Sequence, residues 1–189
     1  ISRGLVGSEM CIRDSVKAVA ELAIEYKELI IGFDIAGPEL NYLPSMYKDS
    51  FLKVKNEGIN ITIHAGEGDG VHSIQEALDN GAKRIGHGVR IIEDISVDNK
   101  LGPTADHILQ NNIPLEVCIT SNLHTNMYKN PQDHPISRLH NLGFNISLNT
   151  DNRLMSNTSI DNELNVAKAA GIEDPTSLLK YSASDSFLN

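Results

Sequence analysis

From Val16 onwards, segments with apolar residues at helical spacing alternate with short, continuous apolar runs. Segments with apolar residues at helical spacing predict helices, and short apolar runs rich in β-branched residues predict strands between them. The predicted helices cover residues 16–26, 47–56, 71–80, 104–111, 136–141, 161–170 and 177–182, and the predicted strands cover residues 29–35, 60–63, 84–85, 114–118 and 145–148. Gly81 suits the left-handed end of a helix, and Asp174 followed by Pro175 suits the start of the last helix.

This alternation predicts an α/β fold in which helices cover a parallel sheet. Polar, reactive residues follow nearly every strand. That placement favours a (β/α)8 TIM barrel, whose active site forms at the carboxyl ends of several strands. A doubly wound sheet instead binds its ligand at one switch point, typically with a glycine-rich turn, and the chain has no GxGxxG or P-loop sequence. Since five strands cannot close a barrel of eight, the prediction is a partial barrel.

Composition narrows the classes of function. The chain has 189 residues, 40% hydrophobic and 22% charged, as expected of one soluble globular domain. Its net charge of -9 argues against nucleic acid or an anionic membrane surface as partner, because both select basic patches. Two cysteines far apart, no long apolar run and no signal peptide predict a cytoplasmic protein with reduced thiols.

The first fifteen residues differ from the rest because they show no sustained period and resemble a translated sequencing adaptor. We therefore predict a non-native or disordered leader over residues 1–15 and one barrel domain over residues 16–189. An ordinary flexible terminus is the alternative.

The strand at 60–63 runs directly into the most informative motif, His64-Ala-Gly-Glu67. Gly66 lets the backbone turn sharply enough for a metal ligand and a proton-transfer group to face one point. Two further strand ends carry His87, between two glycines, and Asp151. Taken singly, these residues have ordinary roles as strand, loop, turn or helix-capping residues; together they indicate an active site.

Five motifs in this order resemble those of the adenosine deaminase family. They are Gly32-Phe-Asp-Ile-Ala-Gly37, His64-Ala-Gly-Glu67, Arg84-Ile-Gly-His-Gly88, Glu116-Val-Cys-Ile-Thr-Ser-Asn122 and Ser147-Leu-Asn-Thr-Asp-Asn152. The family fold is a zinc-containing (β/α)8 barrel. The resemblance therefore implies that this chain carries the strands equivalent to the fourth through the eighth and lacks the first three.

The resemblance also implies residue roles. His64 and Asp151 are matched to zinc ligands, and zinc lowers the pKa of a bound water towards ~7. Glu67 is matched to the acid that protonates ring N1 of the purine while water adds at C6, and His87 to the histidine that stabilises the attacking water.

Two further positions are matched to substrate contacts. Gly37 corresponds to a glycine whose backbone amide contacts the purine. Asn152 stands where the best-known pattern has a second aspartate, which leaves the contact to ring N7 open.

The family's first strand supplies a His-x-His pair to zinc, and this chain contains no such pair. His64 and Asp151 give two protein ligands, whereas a catalytic zinc site normally has three. We therefore expect the chain as written to bind zinc poorly and to show no appreciable turnover.

Other candidate residues rank lower. Ser121 and Ser156 lack the GxSxG context of a nucleophile, Cys118 is predicted to be core, and the PCxxC signature of another deaminase fold is absent. The remaining histidines are predicted to be surface or helix-cap residues: His72, His107, His124, His134 and His140.

The predicted reaction is zinc-dependent hydrolysis of adenosine and deoxyadenosine to inosine, deoxyinosine and ammonia. Adenine, N6-substituted adenines and AMP are alternative substrates. From other classes, a catalytically dead binding relative and a non-functional fragment also stay open. The predicted partner is a small molecule, and the sequence leaves the oligomeric state open.

Overall fold

The computed structural model describes residues 12–179 and Phe187. Its centre is a parallel sheet whose strands pair in sequence order, β1-β2-β3-β4-β5. The strands are β1 (Phe33–Ile35), β2 (Ile61–Ala65), β3 (Arg84–His87), β4 (Leu115–Val117) and β5 (Ile146–Leu148). Sequential order is expected of part of a (β/α)8 barrel, whereas a doubly wound sheet reverses direction at a switch point.

Helices connect and cover the strands. They are α1 (Ile12–Glu25), α2 (Lys48–Asn56), α3 (Val71–Asp79), α4 (Pro103–Gln110), α5 (Ile119–His124), α6 (Ile136–Asn141) and α7 (Ile160–Ala169). Within the described residues, five 3-10 helices lie at Lys27–Leu29, Pro44–Tyr47, Val89–Asp94, Pro131–Asp133 and Pro175–Leu179. The predicted α/β class and the parallel sheet are confirmed.

The core lies between the strands and the apolar faces of the helices. Strand β2 is buried at four of its five positions, as expected of a parallel strand covered on both faces. From the helices, Phe51 and Val54 of α2 and Ile74 and Ala77 of α3 are fully or almost fully buried. Their three-residue spacing places each pair on one helical face. The sheet is thereby fixed beneath the loops that follow its strands.

Several predicted boundaries were wrong. The strand predicted over 29–35 begins only at Phe33, because residues 27–29 form a 3-10 turn and pairing starts where the Phe33 N–H donates to the Asn60 carbonyl. Strand β3 extends to His87, two residues beyond its prediction. Strand β4 covers only Leu115–Val117 of the strand predicted over 114–118, and residues 119–124 form helix α5, which was not predicted.

At the chain ends, a 3-10 helix at Pro175–Leu179 replaces the start of the predicted last helix, and residues 180–182 lie outside the described residues. Residues 1–11 of the predicted leader also lie outside them. Helix α1 begins at Ile12 and is interrupted at Ser15 (φ -120°). None of the helices within residues 12–179 has the length and apolar character needed to cross a bilayer.

Candidate active site

Three strand ends meet at one edge of the sheet. His64 is the fourth residue of β2 and Glu67 follows that strand, His87 ends β3, and Asp151 follows β5. The His87 Nε2 lies 3.5 Å from Glu67 Oε2 and 3.9 Å from Asp151 Oδ2. His87 is buried and the two carboxylates are partly buried. Glu67, His87 and Asp151 thus form one cluster, as the positions of their motifs after parallel strands predict.

The backbone is strained at this cluster. His87 (φ 59°) and Asp151 (φ 53°) both adopt the left-handed conformation, which is uncommon for residues with a side chain. Such strain persists where surrounding contacts hold it, and it is frequent at active sites. It supports the choice of this edge as the candidate site.

His64 lies beside the cluster and is held by Asp34, whose Oδ1 is 3.3 Å from His64 Nδ1. Its ring centroid is 5.3 Å from that of His87, in an edge-on arrangement. Burial alone would lower the pKa of His64, but the charge and hydrogen bond of Asp34, with the charges of Glu116 and Asp151, raise it to about 9.

The ring of His64 also requires a glycine on the next strand. A Cβ on Gly86 would lie 2.9 Å from the Cγ and Nδ1 of His64. Any side chain there would have to displace the imidazole. This explains why a glycine precedes His87 within β3.

The loop that carries Glu67 is organised by Glu39, a residue that the sequence analysis did not single out. The Glu39 carboxylate is buried and accepts backbone N–H groups from Gly66 (2.5 Å), Glu67 (3.0 Å) and Gly68 (2.6 Å). Three consecutive N–H groups satisfied by one carboxylate fix the course of the loop. The direction of the Glu67 side chain therefore depends on a residue 28 positions earlier.

Helix α5 contributes two more polar groups. The Ser121 hydroxyl donates to Asp151 Oδ2 at 2.6 Å. Burial alone would raise the pKa of Asp151, but this hydrogen bond and the neighbouring histidines lower it. Ser121 has no nucleophile context, yet it orients the carboxylate.

The second group is Asn122, which is fully buried with its Nδ2 3.0 Å from His87 Nδ1 and 3.5 Å from Glu67 Oε1. Its Oδ1 contacts His134. The prediction that His134 lies on the surface was therefore wrong: it is only 3% exposed and has an amide partner. The predicted surface positions of His72, His107, His124 and His140 are confirmed, and so is the burial of Cys118.

A cleft of about 520 Å³ opens beside the cluster. Gly37 and Glu67 line it, together with Arg90, Glu93 and Tyr128. The predicted purine-contacting glycine and the predicted proton donor thus face one cavity. Asn152 follows Asp151, and its Oδ1 accepts the backbone N–H groups of Leu154 and Met155 at 3.2 and 3.1 Å.

The donor atoms suit a zinc ion, since imidazole nitrogen and carboxylate oxygen are its usual ligands. Two sets share Asp151. His64 and Asp151 are the predicted pair, and a carboxylate on the second ring nitrogen of His64 is the common support of a metal-bound histidine. Glu67, His87 and Asp151 are the geometric set, with ligand atoms all within 4.8 Å of one another.

Comparison with known proteins agrees with the fold and the motifs. The adenosine deaminase family model matches residues 7–185. Adenosine deaminase 1 of Streptomyces coelicolor is 48% identical over 151 residues, which are 77% of this chain and 38% of that protein. The chain spans about two-fifths of the length of the curated relatives it matches.

Two solved structures share the fold. The N6-methyl-AMP deaminase of Arabidopsis thaliana superposes with a TM-score of 0.75 at 26% identity, over 94% of this chain and 51% of that one. An amidohydrolase of Burkholderia ambifaria, solved with bound Zn, superposes with a TM-score of 0.71 at 18% identity, over 93% and 46%. With the family model covering almost the whole sequence, the chain belongs to the adenosine deaminase family.

Proposed function

We propose that the protein hydrolyses adenosine and deoxyadenosine to inosine, deoxyinosine and ammonia. The observation that carries the proposal is the meeting of Glu67, His87 and Asp151 at the carboxyl edge of the sheet, with Glu67 also lining the adjacent cleft. Family membership supplies the substrate class. The Glu67 carboxylic acid protonates ring N1 as water adds at C6, and one proton of that water restores the Glu67 acid. The other proton reaches the amino nitrogen, the bond from C6 to this nitrogen breaks, and ammonia leaves as the C6 oxygen becomes a carbonyl.

The remaining residues of the site accommodate the base or orient the attacking water. Gly37 borders the cleft without a side chain, which leaves room for a flat base. Asp151, held by Ser121, faces the same point as His87 and can orient the attacking water from one side. The Asn152 amide oxygen accepts the N–H groups of Leu154 and Met155, so these two hydrogen bonds must break before that oxygen can contact the base.

We also propose that His64 and Asp151 hold zinc, which when bound lowers the pKa of a coordinated water. The Asp34 carboxylate behind His64 supports this choice, as does the zinc in one relative of the same fold.

In the full reading frame of the source gene, His64→Ala and Asp151→Asn should lose most of the bound zinc in elemental analysis. His72→Ala, at an exposed histidine, should keep it, and equal zinc in all three variants would contradict the assignment.

An N6-substituted AMP is the second candidate substrate, because a relative of that activity shares the fold and a cation, Arg90, lines the cleft. Arg90 is already bound by both oxygens of Glu93, at 2.6 and 3.2 Å. With Glu67 and Glu93 lining the same cleft, its charge is largely compensated. The cleft therefore favours a nucleoside over a phosphorylated substrate.

The deciding experiment compares the 189-residue chain with the full reading frame of the source gene, each supplied with zinc. Chromatography measures inosine formed from adenosine, hypoxanthine formed from adenine, and IMP formed from AMP and from N6-methyl-AMP. We expect the full frame to prefer adenosine and the chain alone to be inactive. A folded, zinc-loaded full frame that forms no inosine from adenosine would overturn the proposal.

Substitution then tests the proton donor. Glu67→Gln in the full frame should lower kcat by roughly 1000-fold, the order expected for loss of a general acid. Glu57→Gln, at an exposed glutamate after α2, is the matched control and should leave kcat unchanged.

A cytoplasmic location for the protein stays a prediction.

A further inference from the structure

A chain of hydrogen bonds runs behind the active-site cluster to the start of α6. The Ile136 backbone N–H donates to His134 Nδ1 at 3.2 Å. His134 Nε2 lies 3.2 Å from Asn122 Oδ1, and Asn122 Nδ2 lies 3.0 Å from His87 Nδ1. Both histidines and the amide are buried. Each member therefore depends on the others for its hydrogen bonds.

The far end of this chain fixes the direction of every bond. A backbone N–H can only donate, so His134 Nδ1 must accept and a neutral His134 carries its proton on Nε2. The Asn122 atom that meets this proton must be its oxygen. The amide nitrogen then faces His87 and donates to Nδ1.

The near end agrees with this assignment. Asn122 Nδ2 also lies 3.5 Å from Glu67 Oε1, and its N–H donates to that carboxyl oxygen. Reversing the amide would place its oxygen against the Glu67 oxygen and its NH2 donor against the His134 proton, so two donors would face each other at His134. The two ends therefore agree on one orientation of Asn122.

We propose that Asn122 and His134 are positioning residues that hold His87 as the neutral tautomer with its proton on Nε2, directed at Glu67 and Asp151. For its catalytic consequence the inference rests on the proposed function. His87 then acts towards the reacting atoms as a hydrogen-bond donor and does not accept a proton at Nε2.

The same assignment separates the two candidate ligand sets. Metal binding displaces the proton of the ligating nitrogen. Because Asn122 donates to His87 Nδ1, His87 would have to lose its last ring proton to bind a metal through Nε2, so it is unsuited as a ligand despite its place in the compact cluster with Glu67 and Asp151. The Asp34 carboxylate faces His64 Nδ1, so His64 can keep a proton there while Nε2 releases its own and binds the metal. The inference thus favours His64 with Asp151 as the zinc ligands.

Burial supports the single-proton state of His134, because it lowers the pKa of that ring to about 4. The Tyr128 ring packs against His134 with centroids 4.9 Å apart. With one proton on His134, the direction of its hydrogen bonds is not averaged by protonation.

The test is the nitrogen-15 NMR spectrum of the histidine side chains in the 189-residue chain, without zinc or substrate. Long-range correlations from the ring protons identify which nitrogen is protonated. We expect the Nε2–H tautomer for both His87 and His134. An Nδ1–H tautomer at His87 in the wild-type chain would overturn the proposal.

Variants test the relay itself. Asn122→Asp replaces the donor by a carboxylate and should move the His87 proton to Nδ1. His134→Gln keeps a donor towards Asn122 and should retain the tautomer, whereas His134→Met has a similar size without a donor and should give a mixture. His140→Gln, at an exposed position of α6, is the control. If Asn122→Asp fails to fold, the Gln and Met variants still decide, and identical His87 spectra in those two would contradict the relay.

In the full reading frame, Asn122→Asp should lower kcat by roughly 100-fold with little change in KM, because the reacting atoms lose a donor and the cleft is untouched. An unchanged kcat would contradict the catalytic consequence. An inactive wild-type frame would refute the proposed function and leave the spectra as a separate result.

Discussion

At the residue scale, the candidate site depends on buried polar side chains that satisfy distant partners. Glu39 is the clearest case, since its carboxylate binds three consecutive N–H groups of the loop that carries Glu67. A charged acceptor with three donors forms stronger hydrogen bonds than a neutral amide could. Glu39 therefore determines where Glu67 points, and it lines the same cleft.

Replacing Glu39 by glutamine should destabilise the fold. The new amide presents one oxygen and a donor group to the three N–H donors, so at least one of them loses its acceptor. We expect the free energy of unfolding to fall by about 2 kcal/mol in urea denaturation. Glu21→Gln, at an exposed position of α1, should change it by less than about 0.5 kcal/mol. Equal effects of the two substitutions would show that the Glu39 hydrogen bonds contribute nothing specific.

Only part of the candidate site could be predicted from the sequence. The convergence of Glu67, His87 and Asp151 follows from their positions after parallel strands, and their distances confirm it. The hydrogen bonds that Glu39 makes to Gly66 and Asn122 makes to His87 escaped prediction because these partners lie 27 and 35 residues away. No local period marks a polar residue that becomes buried through contacts of that range. The chemical roles of the site residues stay predictions.

At the scale of elements, α5 shows how a tertiary contact overrides local preference. Ile119 and Thr120 favour a strand by their β-branched side chains, and no helix was predicted there. In the structure, Glu163 of α7 reaches the start of α5, where its Oε2 accepts the Thr120 N–H at 3.2 Å. The carboxylate also accepts the Thr158 hydroxyl at 2.8 Å and is completely buried. An acceptor 43 residues later thus supports the first turn of the helix.

Removing this contact should weaken α5. Glu163→Ala leaves the Thr120 N–H and the Thr158 hydroxyl without their acceptor in a buried place, which should lower the free energy of unfolding by about 2 to 3 kcal/mol. Glu163→Gln keeps an oxygen for one of the two donors and should cost less. Chemical denaturation of both variants measures the difference. If alanine proves no more harmful than glutamine, the contact does not hold the helix.

At the scale of the whole molecule, the alternation of helix and strand was enough to predict the parallel sheet, because each period reports directly how a segment packs. It could not give the length of β1 or the 3-10 turns, which depend on single backbone hydrogen bonds such as Phe33 to Asn60.

The stability of the whole fold also depends on pH through buried groups. His134 makes that dependence measurable.

Stability should fall as the solution becomes more acidic. Burial lowers the pKa of His134 from 6.5 to about 4, so between these values the unfolded chain binds a proton that the folded chain does not. The free energy of unfolding is therefore unaffected by this group above about pH 6.5 and falls as pH decreases towards 4. Between pH 7 and 4.5 the loss should be about 2 kcal/mol.

Other groups titrate in the same range, so the measurement compares the wild-type chain with His134→Gln by urea denaturation at both pH values. The wild type should lose about 2 kcal/mol more than the variant between pH 7 and 4.5. Parallel pH profiles would mean that His134 is already protonated in the folded chain.

Adjacent residues of α5 hold two different strand ends, since Ser121 binds Asp151 and Asn122 binds His87. Helix α5 therefore holds the side chains of both Asp151 and His87. A small rigid-body displacement of α5 would carry the aspartate and the histidine in the same direction, so their separation would change less than either position. The spacing between the two groups is thereby protected against motions of the helix that holds them.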